Sequence, residues 1–230
     1  IPFNGSLPFG LSSIDTKELE GHGRRMDDVY RWTRHVYDLS RPFFLLGRNR
    51  LVDQLKPDPG STILEMGCGT GHNLIRLARR RPDLQLVGVD ASKAMLEIAQ
   101  QKINRAGLAS RIALHHGYAE SYQPEQPVSA VLFPYSLSMM PSPLEALRNA
   151  TTMLLPSGLI HVVDFGDLNE WPRPLKTGVL QFLERFEVYP KPEVLDGLSS
   201  TATCSREWNW GRYCFTAEIA TSASVTNASE

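Results

Sequence analysis

The chain has 230 residues, of which 42% are hydrophobic and 21% are charged, and its formal net charge is −1. This composition predicts one globular domain with a substantial core, and the near-neutral charge argues against nucleic acid as the partner. Cys68, Cys204 and Cys214 are odd in number and lack metal-ligand spacing, so we expect no disulfide framework, no metal site and a reducing cytoplasm.

The N-terminal part of the chain divides into a tail and two helices. Residues 1–23 mix glycine, proline and serine with charges, which we interpret as a tail or an added segment. Apolar and aromatic residues then recur at three- and four-residue intervals over residues 24–37 and 43–55. This spacing predicts two helices that precede the first strand and cover the domain.

Strands and helices alternate through the middle of the chain. The predicted segments are, in order, a strand over 62–66, a helix over 72–80, a strand over 85–90, a helix over 92–106, strands over 112–116 and 128–134, a helix over 143–155 and a strand over 158–165. Such alternation predicts right-handed crossovers and a mostly parallel sheet that is covered on both faces. Ser92 is a plausible N-cap of the second crossover helix, and Gly107 a plausible stop.

The C-terminal pattern differs from this alternation. A helix is predicted over residues 176–186, and two β-prone runs joined through Trp210-Gly211 predict a hairpin over residues 204–219. The expected fold is therefore α/β, a doubly wound, mostly parallel seven-stranded sheet with a C-terminal antiparallel hairpin. We expect a single domain over residues 24–220, with cover helices within 24–55, and a frayed end over 221–230.

A glycine-rich turn follows the first strand. The sequence Glu65-Met66-Gly67-Cys68-Gly69-Thr70-Gly71 leads into a helix, whose N-terminus supplies free N–H groups. A nicotinamide-binding turn has glycines at its first, third and sixth positions, but the sixth position counted from Gly67 is His72. Asp90 ends the second strand, where a carboxylate can accept both ribose hydroxyls, although an aspartate next to an N-cap is the alternative interpretation.

This turn, with an acidic residue two places before its first glycine, resembles the first motif of the class I S-adenosylmethionine-dependent methyltransferases. The resemblance implies S-adenosyl-L-methionine as the cofactor, with the turn around its methionine part. The implied cofactor-binding residues are Glu65, Gly67, Cys68, Gly69, Thr70, Gly71, Asn73, Asp90 and Ala91. After the third strand, the segment with Tyr118, Ala119 and Glu120 falls where the family contacts the adenine.

The end of the fourth strand is a further candidate part of the site. Open α/β sheets form their binding crevice at the carboxyl ends of central strands, and Phe133 and Tyr135 occupy this position. We predict that both contact the cofactor and that Tyr135 is an active-site residue. The alternative is that Tyr135 is a packed aromatic.

The first predicted helix carries one polar aromatic face. On helical spacing Tyr30, Arg34 and Tyr37 lie together and are predicted to close over the cofactor, with Arg34 reaching a carboxylate. The alternative is that the tyrosines pack on the sheet and Arg34 is a surface charge.

Four segments narrow the resemblance. Residues 25–48, the glycine turn, residues 135–139 and residues 161–166 together resemble the bacterial N-methyltransferases of betaine-lipid synthesis. That family converts diacylglycerylhomoserine to its trimethylated betaine lipid with three molecules of S-adenosylmethionine. The resemblance covers about residues 24–219, and the acceptor assignment depends on residues 30–48 and 135–139.

The implied reaction needs an aligned amine that has lost its proton. We consider Tyr30, His35 and Tyr135 the candidate catalytic residues, with Tyr30, His35 or Asp164 assisting proton removal and water as the alternative. A quaternary ammonium product binds aromatic faces through cation–π attraction of about 0.5–2 kcal/mol. The candidate aromatic walls are Tyr30, Trp32, Tyr37 and Tyr135.

A lipid-linked substrate requires contact with a membrane. No stretch reaches the roughly 18 consecutive apolar residues of a membrane span, so we expect a cytoplasmic protein with peripheral membrane contact. Residues 171–176 mix apolar and basic side chains suited to such contact, although an ordinary exposed loop has the same character. The open alternatives are phosphatidylethanolamine or a small amine as acceptor, or a non-catalytic module that binds the cofactor as a structural ligand.

Overall fold

The computed structural model describes Leu45, residues 47–198 and residues 202–221. The predicted N-terminal tail, the first predicted cover helix and nearly all of the predicted C-terminal end lie outside these residues. The predicted site residues that lie outside them are Tyr30, Trp32, Arg34, His35 and Tyr37.

Seven strands and five α-helices form in the described part. The strands are β1 (Thr62–Met66), β2 (Gln85–Asp90), β3 (Ile112–His116), β4 (Val128–Pro134), β5 (Leu154–Phe165), β6 (Ala202–Asn209) and β7 (Cys214–Thr221). The helices are α1 (Arg48–Gln54), α2 (His72–Arg80), α3 (Lys93–Arg105), α4 (Pro143–Thr152) and α5 (Arg173–Glu184). Short 3₁₀ turns cover Leu137–Met139 and Pro192–Leu198.

All seven strands belong to one sheet, in the order β3-β2-β1-β4-β5-β7-β6. Strands β1 to β5 pair in parallel, whereas β7 runs antiparallel to both β5 and β6. This order confirms the predicted doubly wound, mostly parallel sheet with an antiparallel C-terminal hairpin. It also places β1 between β2 and β4, so the loops after these three strands lie side by side.

Helix capping agrees with the prediction for α3. The backbone N–H of Met95 donates to Ser92 Oγ at 3.2 Å, so Ser92 is the N-cap. Gly107 follows the helix in the left-handed region, with φ of 69°. A residue of this conformation ends a right-handed helix, as expected of glycine at such a position.

Helix α1 is shorter than the predicted helix over residues 43–55. Leu45 is not helical, and Gly47 has φ of 82° and ψ of −17°, a left-handed conformation that cannot continue an α-helix. The helix therefore begins at Arg48.

The boundary between α4 and β5 also differs from the prediction. The predicted helix over 143–155 ends at Thr152, and Leu154, expected to be helical, pairs with Val128 at the start of β4. The register then shifts, because the next pair is Ala130 with Leu159. Pairing with a distant strand thus overrides the local helical pattern around Leu154.

Apolar side chains fill both faces of the sheet. One face packs against α1, α2 and α5 through residues such as Val52, Leu77 and Leu183. The other packs against α4 and the turn over Pro192–Leu198, with Leu147 among its buried side chains. Because both faces are covered, the open position for a ligand is the carboxyl edge, where the loops after β1, β2 and β4 meet.

Candidate cofactor and acceptor site

The glycine turn between β1 and α2 is built from left-handed residues. Gly67, Gly69 and Gly71 have φ values of 70°, 53° and 73°, which glycine adopts readily and other residues adopt at a cost. The backbone N–H groups of Gly67 and Cys68 both donate to the carbonyl of Val89, at 2.8 and 3.0 Å. These bonds fix the turn to the end of β2.

Gly67 and Gly71 also allow close approach. A Cβ at Gly67 would lie 2.6 Å from the Cβ of Ser136, in the loop after β4. A Cβ at Gly71 would lie 3.3 Å from that of Ala99 in α3. The turn is therefore a close-packed cradle whose main chain, rather than side chains, borders the space above the sheet, which fits the methionine part of S-adenosylmethionine.

Asp90 connects the turn to the next helix. Its Oδ2 accepts the N–H of Gly69 at 2.7 Å, and its Oδ1 accepts the N–H of Ser92 at 2.9 Å. The side chain is only partly buried. Asp90 thus braces both the turn and the N-cap of α3, as in the interpretation of an aspartate next to an N-cap. Its ribose role remains a prediction.

Glu65 and Asn73 are both buried beneath the turn. Asn73 Nδ2 donates to Glu65 Oε1 at 2.7 Å, which links β1 to the first turn of α2. Cys68 and Thr70 are also buried, with 4% and 2% of their surfaces exposed. These four side chains are enclosed within the turn, and the predicted cofactor contacts of all four remain predictions.

The segment after β3 lies next to Asp90. Gly117 N–H donates to the Asp90 carbonyl at 3.1 Å, and His116 Nε2 lies 3.1 Å from the carbonyl of Ala91. Tyr118 is half-buried and its ring meets that of His116 edge-on, with centroids 6.2 Å apart. The segment after β3 is thus joined to the main chain of Asp90 and Ala91.

The two residues that follow Tyr118 are enclosed. Ala119 is buried, and its carbonyl accepts from Asn149 Nδ2 at 2.8 Å. Glu120 is buried against the start of α4, where its Oε1 lies 3.4 Å from the N–H of Ser142, and burial raises the pKa of its carboxyl.

The post-β4 loop, residues 135–139, borders the glycine turn. Tyr135 has φ of 59° and its N–H donates to the Val163 carbonyl at 2.6 Å. Its ring packs edge-on to Phe165, with centroids 4.7 Å apart, and its hydroxyl donates to the Cys214 thiol. Phe133, just before the loop, is fully buried in the core.

Tyr135 is therefore enclosed by protein, as in the packed-aromatic alternative. Burial, reinforced by the neighbouring Cys214, Tyr213 and Asp164, raises the pKa of its hydroxyl far above the usual range. The hydroxyl keeps its proton at neutral pH and is unsuited to accept one from an amine. Its predicted role as an aromatic wall remains a prediction.

Asp164, at the end of β5, is 2% exposed. Its Oδ2 accepts the N–H of Ser138 at 3.1 Å and its Oδ1 accepts the N–H of Phe165 at 2.7 Å. Burial raises the pKa of its carboxyl to about 6, against the opposing effect of these hydrogen bonds. Both oxygens of Asp164 thus accept main-chain donors, one of which belongs to the post-β4 loop. Its assistance in proton removal remains a prediction.

The structure brings together most of the predicted site within the described residues. The glycine turn, Asp90, Ala91, Tyr118 and the post-β4 loop meet at the carboxyl edge. Sequence reasoning missed Ser136, whose contact with Gly67 joins two segments that are far apart in the chain. It also missed Cys214 as the partner of Tyr135. The alternation of side chains along β7 would have predicted that Cys214 faces inward, but it would not have identified Tyr135 as its partner.

Comparison with known proteins agrees with this geometry. Residues 63–158 match the family model described as a methyltransferase domain. The chain is 28% identical over 134 residues to the trans-aconitate 2-methyltransferase of Streptomyces coelicolor, covering 58% of this chain and 43% of that protein. It is 28% identical over 144 residues to the demethylmenaquinone methyltransferase of Lactobacillus johnsonii, covering 60% and 59%. The chain thus spans about half the length of these relatives.

A solved structure gives the same fold. A SAM-dependent methyltransferase from Aquifex aeolicus aligns with a TM-score of 0.60 and 19% identity, covering 87% of this chain and 97% of that one. The chain therefore has a class I methyltransferase-like fold, with the match to a methyltransferase domain over residues 63–158. Its cofactor is S-adenosyl-L-methionine.

Proposed function

We propose that the protein is an N-methyltransferase that methylates the amine of diacylglycerylhomoserine in successive steps to the trimethylated betaine lipid. The glycine turn braced by Asp90 at 2.7 Å is the observation that carries methyl transfer. The acceptor assignment is supported by the resemblance of residues 30–48 and 135–139 to the betaine-lipid enzymes. The second of these segments borders the turn.

The chain's own residues supply position rather than strong acid or base groups. When bound, S-adenosylmethionine would supply an electrophilic methyl group on a sulfonium, with the neutral thioether S-adenosylhomocysteine as the leaving group when an amine lone pair attacks the methyl carbon. We assign the methionine part to the turn from Gly67 to Gly71, the ribose to Asp90 and the adenine to the segment with Tyr118. Alignment of reactants in this way contributes roughly 7–11 kcal/mol in favourable cases.

Recognition of the acceptor is proposed to involve the predicted cover residues and Tyr135. Tyr30, Arg34, His35 and Tyr37 lie outside the described residues, and we keep them as the proposed cover, with His35 or water receiving the amine proton. Tyr135 is proposed to form an aromatic wall through its ring, because its hydroxyl keeps its proton.

Membrane contact in this proposal is peripheral. Among the described residues no helix is long and apolar enough to cross a bilayer. Leu175, within the segment proposed for contact, is 58% exposed, and Arg173 beside it is exposed as well. An apolar and a basic side chain at one surface support contact with a lipid headgroup layer.

A second candidate is a small-molecule acceptor. The Streptomyces and Lactobacillus relatives are named for trans-aconitate and demethylmenaquinone, which are not amines. An acid or quinone-type acceptor would use the same cofactor turn, because acceptor choice is made by the cover and the post-β4 loop rather than by the turn.

Methyl-labelled S-adenosylmethionine tests the proposal directly. The purified chain is incubated with diacylglycerylhomoserine vesicles and, in separate reactions, with phosphatidylethanolamine vesicles, trans-aconitate or a demethylmenaquinone. We expect label in the first lipid, as one, two and three added methyl groups.

The controls separate binding from turnover. Asp90→Ala should lower transfer at least tenfold, whereas Asp83→Ala, an exposed residue before β2, should not. Label only in another acceptor would overturn the betaine-lipid assignment. Cofactor binding without transfer to any acceptor would favour the non-catalytic module.

A further inference from the structure

Two main-chain hydrogen bonds of Ser138 hold the post-β4 loop in place. The N–H of Ser138 donates to Asp164 Oδ2 at 3.1 Å, and the carbonyl of Ser138 accepts the N–H of Tyr189 at 2.9 Å. Ser138 is itself 4% exposed. The loop is thereby tied to the end of β5 and to the segment after α5.

A 3₁₀ turn connects Ser136 to Ser138. Met139 N–H donates to the Ser136 carbonyl at 3.2 Å, and Met140 N–H donates to the Leu137 carbonyl at 3.1 Å. Ser136 and Ser138 therefore belong to one hydrogen-bonded turn.

Ser136 connects this unit to the cofactor turn. It is 5% exposed and lies so close to Gly67 that even a methyl group there would overlap its Cβ. The first glycine of the turn thus has the loop as one wall, and the position of that wall depends on the hydrogen bond to Ser138.

We propose that Asp164 is a positioning residue, whose carboxylate holds the post-β4 loop against the cofactor turn through the backbone N–H of Ser138. The importance of this loop for the acceptor rests on the proposed function. Its importance for the cofactor does not, since the contact with Gly67 is part of the described turn.

Protonation of Asp164 is expected to loosen the loop. A charged carboxylate accepts a backbone N–H more strongly than a neutral carboxyl does. The titratable groups that face Asp164 are Tyr135 and Cys214, and burial raises the pKa of the Tyr135 hydroxyl and raises that of the Cys214 thiol to about 11. Both remain neutral near pH 6, so Asp164 is the group of the three that changes charge there.

The sign of the pH dependence follows from these charges. The ionised form of Asp164 holds the loop, so cofactor affinity should rise with pH through about 6 and level off above it. A merely structural role of the side chain in packing would leave no such step.

Calorimetric titration with S-adenosylhomocysteine between pH 5 and pH 8 tests the proposal. We expect the wild-type chain to bind about three- to tenfold more weakly at pH 5 than at pH 8. Asp164→Asn, which keeps the volume but not the charge, should bind more weakly at pH 8 by a similar factor and lose the step. Asp83→Asn, changed at an exposed carboxyl, should keep the wild-type profile.

If Asp164→Asn does not fold, hydrogen exchange of the wild-type chain tests the proposal instead. In the wild-type chain the Ser138 amide should exchange faster, after correction for intrinsic rates, at pH 5 than at pH 8. The positioning role would be overturned if the affinity of the wild-type chain did not change between pH 5 and pH 8, or if the affinity of Asp164→Asn showed the same change. Absence of methyl transfer to every acceptor would overturn the proposed function and leave this affinity profile unchanged.

Discussion

Gly67 shows how one residue serves both backbone and packing. Its φ of 70° lies in the left-handed region, and the space where a Cβ would project is occupied by Ser136. A left-handed conformation costs a residue with a side chain roughly 1–2 kcal/mol, and overlap with a neighbour adds to this cost. The same residue therefore controls both the turn and its contact with the post-β4 loop.

Replacement of Gly67 by alanine separates these two effects when it is compared with Gly60→Ala. Gly60 has φ of 77°, but no neighbouring atom lies within 4 Å of the point where its Cβ would project, so its variant should lose only about 1–2 kcal/mol of unfolding free energy. Gly67→Ala should lose about 1–3 kcal/mol more, with weaker S-adenosylhomocysteine binding. Denaturant unfolding measures both variants, and equal losses would show that contact with Ser136 is unimportant.

Among single residues, the sequence predicted those whose partners are close in the chain. The glycine spacing and Asp90 were visible because the turn and its acidic partner belong to one β-α-β unit. The contact of Asp164 with the loop was not visible in the sequence, because its partner Ser138 lies 26 positions away. Ser138 also donates a main-chain N–H, which every residue type except proline possesses. Tyr135 was predicted for the site from its place after β4, but its left-handed backbone and its bond to Cys214 depend on tertiary packing.

At the scale of elements, the hydrogen bond between Glu65 and Asn73 joins the central strand to the helix that follows the turn. Both side chains are buried, and the donor and acceptor are 2.7 Å apart. Loss of one partner from a buried hydrogen bond costs about 1–3 kcal/mol, because the polar group that remains is shielded from water. This pair thus fixes α2 relative to β1.

Asn73→Ala should therefore lower the unfolding free energy by about 1–3 kcal/mol. Asn104→Ala is the matched control, because Asn104 lies on the exposed side of α3, where its Oδ1 accepts from Gln100, and its loss should change stability by less than about 0.5 kcal/mol. Chemical denaturation compares the two variants. A smaller loss for Asn73→Ala than for Asn104→Ala would contradict the structural role of the buried pair.

Elements with a strong periodic pattern were predicted well, and those decided by distant pairing were not. The bounds of β1 to β4 agree with the prediction, since these strands are apolar runs bounded by turn residues. The start of β5 was missed because Leu154 is apolar in either a helix or a strand, and its pairing with Val128 decides between them. The start of α1 was missed because Gly47, within an otherwise helical pattern, is left-handed.

For the molecule as a whole, the alternation of strands and helices was enough to predict the sheet. Burial of both faces leaves the carboxyl edge as the place where loops from β1, β2 and β4 converge, and the predicted cofactor residues on these loops meet there. The acceptor could not be predicted from the same physics, because its recognition depends on cover segments and loop shapes that differ among proteins of one fold. The central claim is accordingly about the cofactor.

Calorimetric titration with S-adenosylhomocysteine, applied to the wild-type chain, Asp90→Ala and Asp83→Ala, tests that claim most directly. Asp90 accepts from the turn at 2.7 Å and is assigned the ribose, so its loss should weaken binding roughly 10- to 100-fold. Asp83 is exposed and pairs with Arg81 before β2, so the Asp83→Ala chain should bind as the wild-type chain does. Equal affinity of the wild-type and Asp90→Ala chains would contradict the assignment of the glycine turn and Asp90 as the cofactor site.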